Sequence, residues 1–539
     1  MKQQTLNRLS VALAVIGVFL LACGEQALSE GQKVRLPAVA GQFYPSDPKV
    51  LAKTVDEFLA RAAAEQTSGP VLALIAPHAG YEFSGQVAAY SYSLLKGRKL
   101  ERVVVISPSH IDAFPYSSVY GGDAYATPLG NIPVDKEFGK KLAALSSLIQ
   151  VSTRGHGEVQ GRSEHALEVQ LPFLQRTLGQ FKLVPIIMGV QTYEASRALG
   201  VSLAKLLEGG KQGPPLEPDT LIVASSDLSH YHPYDEAVRL DRATLAAIEE
   251  YDYFNLSQNT ERRIWEACGG GPIVAAMIAA ERLGANRAKI LKYANSGDVT
   301  GDKSQVVGYG AVALIAEKVA RKEKGPRFSL SRQEKDELLR IAKKSVETAV
   351  KERKLYQVAD PGFETLRHDR GAFVTLKKKG QLRGCIGYIA PMKALYLTVC
   401  DVAAAAAVED RRFQPVSVAE LGELEYEISV LSPLRRVTDI KQIRVGQHGL
   451  VIKKGDYEGL LLPQVPTEQG WDKKTFLEQT CVKAGLPPQT WQDEDADLFL
   501  FSALVFDEHT APESPSPEEP FPRGPREQPG QQGLSLPRP

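Results

Sequence analysis

Three apolar runs in the first half of the chain end close to a histidine. Residues 71–76 lead to His78, residues 103–106 lead to His110, and residues 221–225 lead to the Asp227–His230 segment. A short, continuous apolar run closed by Pro, Ser or Asp is typical of a strand buried on both faces of a parallel sheet. Ligand sites of open α/β sheets lie beyond the carboxyl ends of their strands. We therefore expect these polar side chains to meet at one edge of a sheet.

The 539 residues are more than one hydrophobic core usually holds, so several domains are expected. Residues 35–317 alternate apolar runs with helical patterns, which predicts an α/β domain. A charged linker follows at 318–328. Residues 329–506 begin with a helix capped by Ser331 and continue with short strands and turns, which predicts a separate α+β domain. The Pro-, Gly- and Glu-rich residues 507–539 are predicted to be disordered.

Several elements of the α/β domain can be predicted individually. Residues 182–188 and 305–314 are further strand candidates, because both are mainly apolar and rich in β-branched residues. Residues 239–251 and 271–283 show the apolar spacing of helices.

The N-terminal segment is typical of an exported protein. A basic start is followed by an apolar run at 11–21, which is too short to cross a bilayer comfortably. Cys23 follows at the end of this run, so residues 1–23 resemble a bacterial lipoprotein signal peptide with Cys23 as the lipidation site. Residues 24–34 are then a tether, and a doubly acylated Cys23 holds the chain at a membrane. This predicts a membrane-anchored lipoprotein on the extracytoplasmic face. An ordinary signal peptide or an uncleaved anchor is the alternative, and without a lipobox the protein is cytoplasmic.

Charge and cysteine content exclude some classes of protein. The 64 basic and 64 acidic residues cancel, so no global positive field favours a nucleic-acid partner. The five cysteines form no CxxC pair, which disfavours a zinc ribbon, and they are too few to indicate a disulfide framework. Cys268 is therefore free to bind a metal.

The polar residues at the predicted strand ends have the chemistry of a metal centre. Imidazole nitrogen and thiolate sulfur suit Fe, Cu or Zn, and three protein ligands leave positions open for substrate. Asp227 or His230 is placed to orient a ligand or to accept a proton. A single histidine at a strand end is usually only a turn residue, but most of the nine histidines fall at such ends in this one domain. The candidates are His78, His110, His165, Asp227, His230 and Cys268.

At these residues, from about Leu36 to Glu317, the chain resembles the Memo family. That family's fold is similar to the class III extradiol dioxygenases, which hold non-haem Fe(II) with two histidines and a glutamate. Memo proteins have a cysteine in place of the glutamate. The resemblance implies His78, His110 and Cys268 as metal ligands, with His230 as the general base and with Asp227 and His165 as further catalytic residues. It implies Fe(II) as the metal, with Cu or Zn as alternatives.

Two features depart from the Memo pattern. Glu266 lies two residues before Cys268 and is an alternative source of a carboxylate ligand. Gly270 and Gly271 stand where many Memo proteins have bulkier residues, so the mouth of the pocket is expected to differ.

The second domain has its own cysteine constellation. Glycines flank Cys385 in the sequence LRGCIG, which implies a tight turn with close backbone approach. Cys385 and His448 are a nucleophile–base pair if the fold brings them together. The alternative, which we favour, is that Cys385 is a small buried residue. From Ser329 to Phe506 the chain resembles the AMMECR family, which implies an α+β fold with a cleft at the LRGCIG segment, lined by Arg383, Cys385 and His448.

The resemblances lead to one functional hypothesis and two alternatives. The hypothesis is a metal-dependent redox protein, a dioxygenase-like oxidoreductase that uses iron or copper in oxygen chemistry on a small molecule. The alternatives are a phosphopeptide- or ligand-binding module without catalysis and a zinc-dependent hydrolase. Fusion of these modules is associated with a radical SAM protein in the AmmeMemoRadiSam system, which makes such a protein a candidate partner. A radical SAM partner needs a reducing cytosol, which conflicts with a lipid anchor.

Overall fold

The computed structural model describes residues 33–62, 67–208, 219–317 and 328–509. The predicted signal peptide with Cys23, most of the tether and linker, and nearly all of the predicted C-terminal tail lie outside these residues. Among the described helices, none has the length and apolar character that crossing a bilayer requires.

The first half of the chain contains fourteen described strands and nine described α-helices. In chain order, the strands are Val34–Arg35 (β1), Val71–Ala76 (β2), Arg102–Pro108 (β3), Ser117–Tyr120 (β4), Ala124–Thr127 (β5), Gly130–Pro133 (β6), Ile149–Ser152 (β7), Glu158–Val159 (β8), Arg162–Ser163 (β9), Lys182–Met188 (β10), Thr220–Ser225 (β11), His230–His232 (β12), Arg287–Asn295 (β13) and Val306–Ile315 (β14). The helices are Pro48–Arg61 (α1), Tyr81–Ser93 (α2), Lys136–Ala143 (α3), Leu171–Leu178 (α4), Tyr193–Glu208 (α5), Tyr234–Glu249 (α6), Tyr253–Glu261 (α7), Gly270–Arg282 (α8) and Ser296–Thr300 (α9).

A nine-stranded sheet forms the centre of this domain. Its strand order is β12-β14-β2-β11-β3-β10-β4-β7, with β13 paired to β14. The four strands β2, β11, β3 and β10 are mutually parallel, and nearly all their residues are buried. The prediction of buried parallel strands is therefore confirmed for these four, whereas β14 and β4 pair antiparallel with β2 and β10 and make the sheet mixed. The predicted elements at 182–188, 305–314, 239–251 and 271–283 correspond to β10, β14, α6 and α8, with shifts at their ends.

Strand register aligns the carboxyl ends of three neighbouring strands. Ser225 of β11 is opposite Ala76 of β2, and Ala224 is opposite Ile106 of β3. Residues two positions beyond these strands therefore lie side by side at one edge of the sheet. Two apolar clusters cover the two faces, one containing helices α5 and α8 and the other containing α2 and α4.

The second half of the chain is an α+β unit with a largely antiparallel sheet. Its strands are Ala372–Lys378 (β15), Gln381–Tyr388 (β16), Leu424–Leu431 (β17), Arg435–Arg436 (β18), His448–Lys454 (β19), Tyr457–Leu461 (β20) and Asp497–Asp507 (β21). Its helices are Arg332–Glu352 (α10), Glu364–Arg367 (α11), Leu395–Val408 (α12), Gln464–Glu468 (α13) and Lys473–Lys483 (α14). The strand order is β16-β15-β17-β21-β19-β20, with β18 beside β21.

The first helix of this unit begins where the sequence predicts it. Ser331 and Glu334 form a reciprocal capping box, in which each side chain accepts from the other residue's backbone N–H, so the predicted cap at Ser331 is confirmed. Helices α10 and α12 pack on each other and α12 packs on β15 around one apolar cluster. Strand β21 pairs as far as Asp507, opposite Glu427.

The two units share a buried apolar contact. Leu434, Val451 and Phe499 belong to the same buried cluster as helices α5, α7 and α8 of the first unit. The Phe499 ring lies 5.1 Å from that of Phe254 and 6.0 Å from that of Tyr253, measured between centroids. Burial of aromatic surface of this kind is a strong source of association free energy, so the second unit is packed against the first through side chains from both.

Candidate metal centre

His78 lies two residues beyond β2 and is fully buried. Its Nδ1 atom is 2.9 Å from Oγ of Ser225, the last residue of β11. The Ser225 hydroxyl donates to the carbonyl of Ala166 at 2.7 Å and accepts from Nε2 of Gln170 at 2.7 Å. Because its own proton is already donated, the Ser225 hydroxyl can only accept from His78. Nδ1 of His78 therefore carries the proton, and Nε2 presents its lone pair to the site.

His110 lies two residues beyond β3, and a buried carboxylate orients it. Its Nδ1 atom is 3.1 Å from Oε1 of Glu164, and its backbone N–H donates to Oε2 at 2.6 Å. The same carboxylate accepts the backbone N–H groups of His165 and Ala166 at 3.0 Å. The Glu164 acceptor fixes the proton of His110 on Nδ1, so Nε2 is again the free donor atom. Carboxylate partners of this kind orient metal-binding histidines and raise their basicity.

His165 completes a group of three imidazoles. The ligand atoms of His78, His110 and His165 all lie within 4.8 Å of one another. The His110 and His165 rings stack with centroids 4.8 Å apart, and each approaches His78 at an angle. The sequence predicts His165 as a catalytic residue, and the structure puts it within reach of an ion shared with His78 and His110.

Burial favours the neutral forms of His78 and His165. Burial lowers the pKa of His78 well below its ordinary value, and the neighbouring imidazoles lower it further. Burial, followed by the charge of His110, lowers the pKa of His165 to about 4. Metal ligation needs neutral imidazole. The histidine donors therefore fit a borderline transition metal.

Cys268 contacts one imidazole of this group. Its Sγ atom is 3.2 Å from Nε2 of His78 and accepts the backbone N–H of Asp227 at 3.2 Å. Although the residue is partly accessible, burial of the thiol raises its pKa, and the charge of Asp227 raises it further. A coordinating metal deprotonates a thiol in this situation. Cys268 thus lies next to one imidazole of the group, with His78 common to both sets of donors.

Asp227 supports the ends of two strands. Its Oδ1 atom accepts the backbone N–H of His78 at 2.7 Å and that of Ala79 at 3.3 Å. Burial raises the pKa of Asp227 to about 6, a range in which a carboxyl group can exchange protons near neutral pH. Its Oδ2 atom is 3.9 Å from Nε2 of His78. Asp227 therefore lies directly beside His78.

His230 and Glu266 form the outer part of the site. Nδ1 of His230 lies 2.9 Å from the carbonyl of Leu228, which makes Nδ1 the donor and leaves Nε2 free. Glu266, the alternative carboxylate ligand, accepts the backbone N–H of His230 at 3.3 Å and contacts Nε2 of His232 at 2.8 Å. In the structure its carboxylate is therefore engaged with these two residues.

The glycines after Cys268 are explained by close packing. A Cβ atom on Gly269 would lie 2.3 Å from the carbonyl oxygen of Ser225, and one on Gly271 would lie 2.8 Å from Cβ of Gln191. Gln191 also donates to the Cys268 carbonyl at 2.9 Å and accepts the N–H of Gly271 at 2.8 Å. These contacts place Cys268 against the end of β11.

Sequence reasoning missed the residues that orient the histidines. Glu164 precedes His165 directly, and this acid–histidine pair was the available signal. Ser225 and Gln170 carry no comparable sequence signal, because a serine at a strand end and a glutamine in a helical segment are common.

The predicted residues of the second unit are spread over its sheet. Cys385 lies on β16, where its Sγ accepts from Oγ1 of Thr375 at 3.3 Å and its backbone N–H donates to Asp410 at 2.9 Å. Arg383 pairs with Glu420 at 3.0 Å. His448 lies on β19, and strands β15, β17 and β21 separate it from β16 in the sheet. The structure therefore does not bring Cys385 and His448 together as neighbours.

The pKa values of Asp410 and His448 are both lowered, but for different reasons. Arg412 holds the pKa of Asp410 far below its ordinary value through a side-chain hydrogen bond. Burial lowers the pKa of His448, and the charge of Arg444 lowers it further.

Comparisons with known proteins agree with the two-unit architecture. The family model described as Memo-like protein matches residues 35–313, and that described as AMMECR1 matches residues 339–506. A MEMO1 family protein of Methanopyrus kandleri is 37% identical over 289 residues, covering 52% of this chain and 98% of that protein. One of Aeropyrum pernix is 39% identical over 292 residues, covering 52% of this chain and 100% of that protein.

Two solved structures are also similar. An uncharacterized protein from Pyrococcus horikoshii is 40% identical, with a TM-score of 0.28, and covers 32% of this chain and 90% of its own. An uncharacterized protein from Escherichia coli K12 is 15% identical, with a TM-score of 0.31, and covers 45% of this chain and 99% of its own. From the matched family models and relatives, the chain belongs to the Memo family, and it joins a Memo-like domain to an AMMECR1 domain.

Proposed function

We propose that this chain is a metal-dependent redox protein whose centre lies at the carboxyl ends of β2, β3 and β11. The observation that carries the proposal is the convergence of three imidazoles whose ligand atoms lie within 4.8 Å of one another, together with a thiol 3.2 Å from Nε2 of His78. Nitrogen and sulfur donors of this kind suit iron and copper, the metals that activate oxygen. Iron is our first choice, because the Memo fold resembles that of non-haem iron dioxygenases.

The proposed ligands are His78 and His110 with Cys268, and His165 is the competing third ligand. When bound, the metal would supply redox and Lewis-acid chemistry. The protein orients the ring of His78 through Ser225 and that of His110 through Glu164. A small molecule would enter at the remaining open positions.

Proton movement falls to the residues on the outer side of the site. His230 has a free Nε2, because its Nδ1 proton is directed to the Leu228 carbonyl, and it can accept a proton from a bound substrate. Asp227 can hold a proton near neutral pH, because burial raises its pKa to about 6. These two residues are the proposed acid–base pair.

Metal content in ligand variants tests the centre. We expect about one iron per chain in protein purified without oxygen, and loss of that iron in His78→Ala and His110→Ala at unchanged circular dichroism. Full occupancy in either variant would refute the ligand assignment. Cys385→Ser is the matched control, because this thiol lies in the other domain and should not change metal content.

Cobalt substitution separates the two ligand sets. A Co(II) protein with a Cys268 ligand shows sulfur-to-metal charge-transfer absorption, which Cys268→Ser abolishes and His165→Asn preserves. Loss of cobalt binding in His165→Asn, with no sulfur absorption in the wild type, would instead assign the three histidines as the ligands.

One observation favours a second candidate, the zinc-dependent hydrolase. Three histidine ligands with an open fourth position form a known catalytic zinc site, in which zinc lowers the pKa of bound water. The group of His78, His110 and His165 meets this requirement without Cys268. Zinc as the sole bound metal, with ester hydrolysis lost in His165→Asn and no oxygen consumption, would support this function over the redox one.

We also propose that the chain is anchored to a membrane through Cys23. The support is the apolar run that ends at this cysteine, since two acyl chains suffice for stable anchoring. Palmitate labelling and detergent-phase partitioning of the full chain should both be lost in Cys23→Ser. Unchanged partitioning of that variant would contradict the anchor.

A further inference from the structure

The loop that carries Cys268 is held by both domains. It connects α7 to α8 and spans residues 262–269. On the side of the metal centre, the Cys268 backbone N–H donates to the Asp227 carbonyl at 3.2 Å, and the Gly269 N–H donates to Ser226 at 2.9 Å. On the other side, the indole Nε1–H of Trp265 donates to Oδ2 of Asp369 at 2.7 Å. Asp369 belongs to the AMMECR1 domain.

The Trp265–Asp369 contact is buried and lies close to the thiol. Trp265 is 3% exposed and Asp369 is 8% exposed, so water does not readily replace the hydrogen bond. Cys268 lies three positions after Trp265, a chain length of about 10 Å when extended. Because this connection is short, a displacement of the Trp265 indole also displaces Cys268.

Two further contacts join the domains near the Trp265–Asp369 hydrogen bond. Arg370, next to Asp369, binds Glu250 at the end of α6 with a hydrogen bond of 2.9 Å. Asn259, in the last turn of α7, donates to the Pro391 carbonyl at 2.9 Å and is fully buried. The AMMECR1 domain thus makes further contacts with the part of the Memo-like domain that directly precedes the loop.

We propose that the AMMECR1 domain positions Cys268 at the metal centre through the Asp369–Trp265 hydrogen bond, which makes Asp369 and Trp265 positioning residues. The inference rests on the proposed function, in which Cys268 is a ligand. It gives the fused domain a role in the centre of its neighbour.

Cys268 reactivity in metal-free full-length protein tests the positioning without any metal. Asp369→Ala removes the acceptor, whereas Asp369→Asn keeps an oxygen that can accept from the indole. We expect iodoacetamide to modify Cys268 between about twofold and tenfold faster in Asp369→Ala, the range set by one lost hydrogen bond. Asp369→Asn should react at the wild-type rate. Peptide mass spectrometry resolves Cys268 from Cys385, which serves as the internal reference.

Arg436→Gln is the matched interface control. Arg436 donates to Glu281 at 2.8 Å across the same interface, but Glu281 lies near the far end of α8, about 16 Å along the helix from Gly270. An unchanged Cys268 rate in Asp369→Ala, or an equal acceleration in Arg436→Gln, would overturn the proposal. The first result would show no coupling, and the second would show a general loosening of the interface.

Cobalt binding tests whether the position of the loop affects metal binding. In Asp369→Ala we expect weaker sulfur-to-cobalt absorption and about tenfold weaker binding, as for other residues that orient metal ligands. Asp369→Asn should restore both. Absence of sulfur absorption in the wild type would refute the Cys268 ligand in the proposed function, and with it the link to the metal. The alkylation rates would then still decide whether Asp369 positions the loop.

Discussion

Nδ1 of His110 lies 3.1 Å from Oε1 of Glu164, whose side chain is almost completely buried. Burial alone would raise the pKa of this carboxyl group. Its hydrogen bonds with His110, together with the backbone N–H groups that it accepts, instead lower the pKa below its ordinary value. Glu164 is therefore an ionised acceptor that sets both the tautomer and the orientation of His110.

Glu164→Gln should weaken metal binding by about tenfold to a hundredfold, the usual cost of losing a carboxylate partner of a metal-binding histidine. The amide group also presents N–H donors where the carboxylate accepts from His110 and His165. We therefore expect a loss of about 1–3 kcal/mol in the free energy of unfolding of the metal-free protein. Chelator competition and urea unfolding measure the two effects. The exposed Glu158→Gln is the control, and equal metal affinity in both variants would contradict the role of Glu164.

His156 predicts an acid-sensitive fold. Its Nε2 lies 3.0 Å from the carbonyl of Ser118, and its Nδ1 contacts the hydroxyl of Tyr125. Burial lowers the pKa of His156 from 6.5 to about 3. Below pH 6.5 the unfolded chain binds a proton at this residue, whereas the folded chain does not. The free energy of unfolding should therefore fall by up to about 1.4 kcal/mol per pH unit between pH 6.5 and pH 3 on account of this residue.

Urea unfolding of chelator-treated protein across this pH range measures the slope. His156→Gln should reduce the proton uptake on unfolding by about one. His509→Gln should leave the slope unchanged, because this histidine is exposed in the fold. An unchanged slope in His156→Gln would show that other groups cause the acid sensitivity.

Asp497 is expected to be the most sensitive charge of the domain interface. It accepts from the Tyr193 hydroxyl at 2.6 Å and from Nε of Arg197 at 2.6 Å, and it is 4% exposed. Removing one partner of a buried ion pair leaves the other uncompensated, so Asp497→Ala should cost about 3 kcal/mol in unfolding free energy. Differential scanning calorimetry should show a lower Tm or separate transitions for the two domains.

The control for this prediction lies two residues away. Asp495 pairs with Lys454 at 2.9 Å on the exposed surface, and Asp495→Ala should change the Tm far less, since solvent screens such pairs. Similar Tm values for the two variants would show that the buried pair does not stabilise the interface.

Gly269→Ala should disturb the centre by steric overlap alone. The backbone of Gly269 has φ −103°, which any residue can adopt, but its Cβ would lie 2.3 Å from the Ser225 carbonyl oxygen. We expect a loss of about 1–3 kcal/mol in unfolding free energy and reduced metal content, because Cys268 is the preceding residue. Gly157→Ala, which meets no atom within 4 Å, is the control. Wild-type stability and metal content in Gly269→Ala would contradict this packing argument.

The sequence by itself determined the layout of the Memo-like domain. Continuous apolar runs ending in polar residues predicted the buried parallel strands, and parallel strands bring their carboxyl ends to one edge. The adjacency of His78, His110 and Asp227 follows from this local pattern, because each residue lies two positions beyond its strand. Ser331 likewise predicted the start of the first helix of the second domain, because a capping box is a contact between near neighbours in sequence.

Only the tertiary structure decided how these residues are oriented and what holds them. Ser225 contacts His78 and Glu164 contacts His110 across long sequence separations, and Gln170 in turn holds Ser225. Their residue types are too common to signal such a role. The separation of Cys385 from His448 depends on strand order, which no local pattern specifies. The Trp265–Asp369 contact depends on how two domains pack, and such packing is set by the shape and polarity of surfaces that form only after each domain has folded.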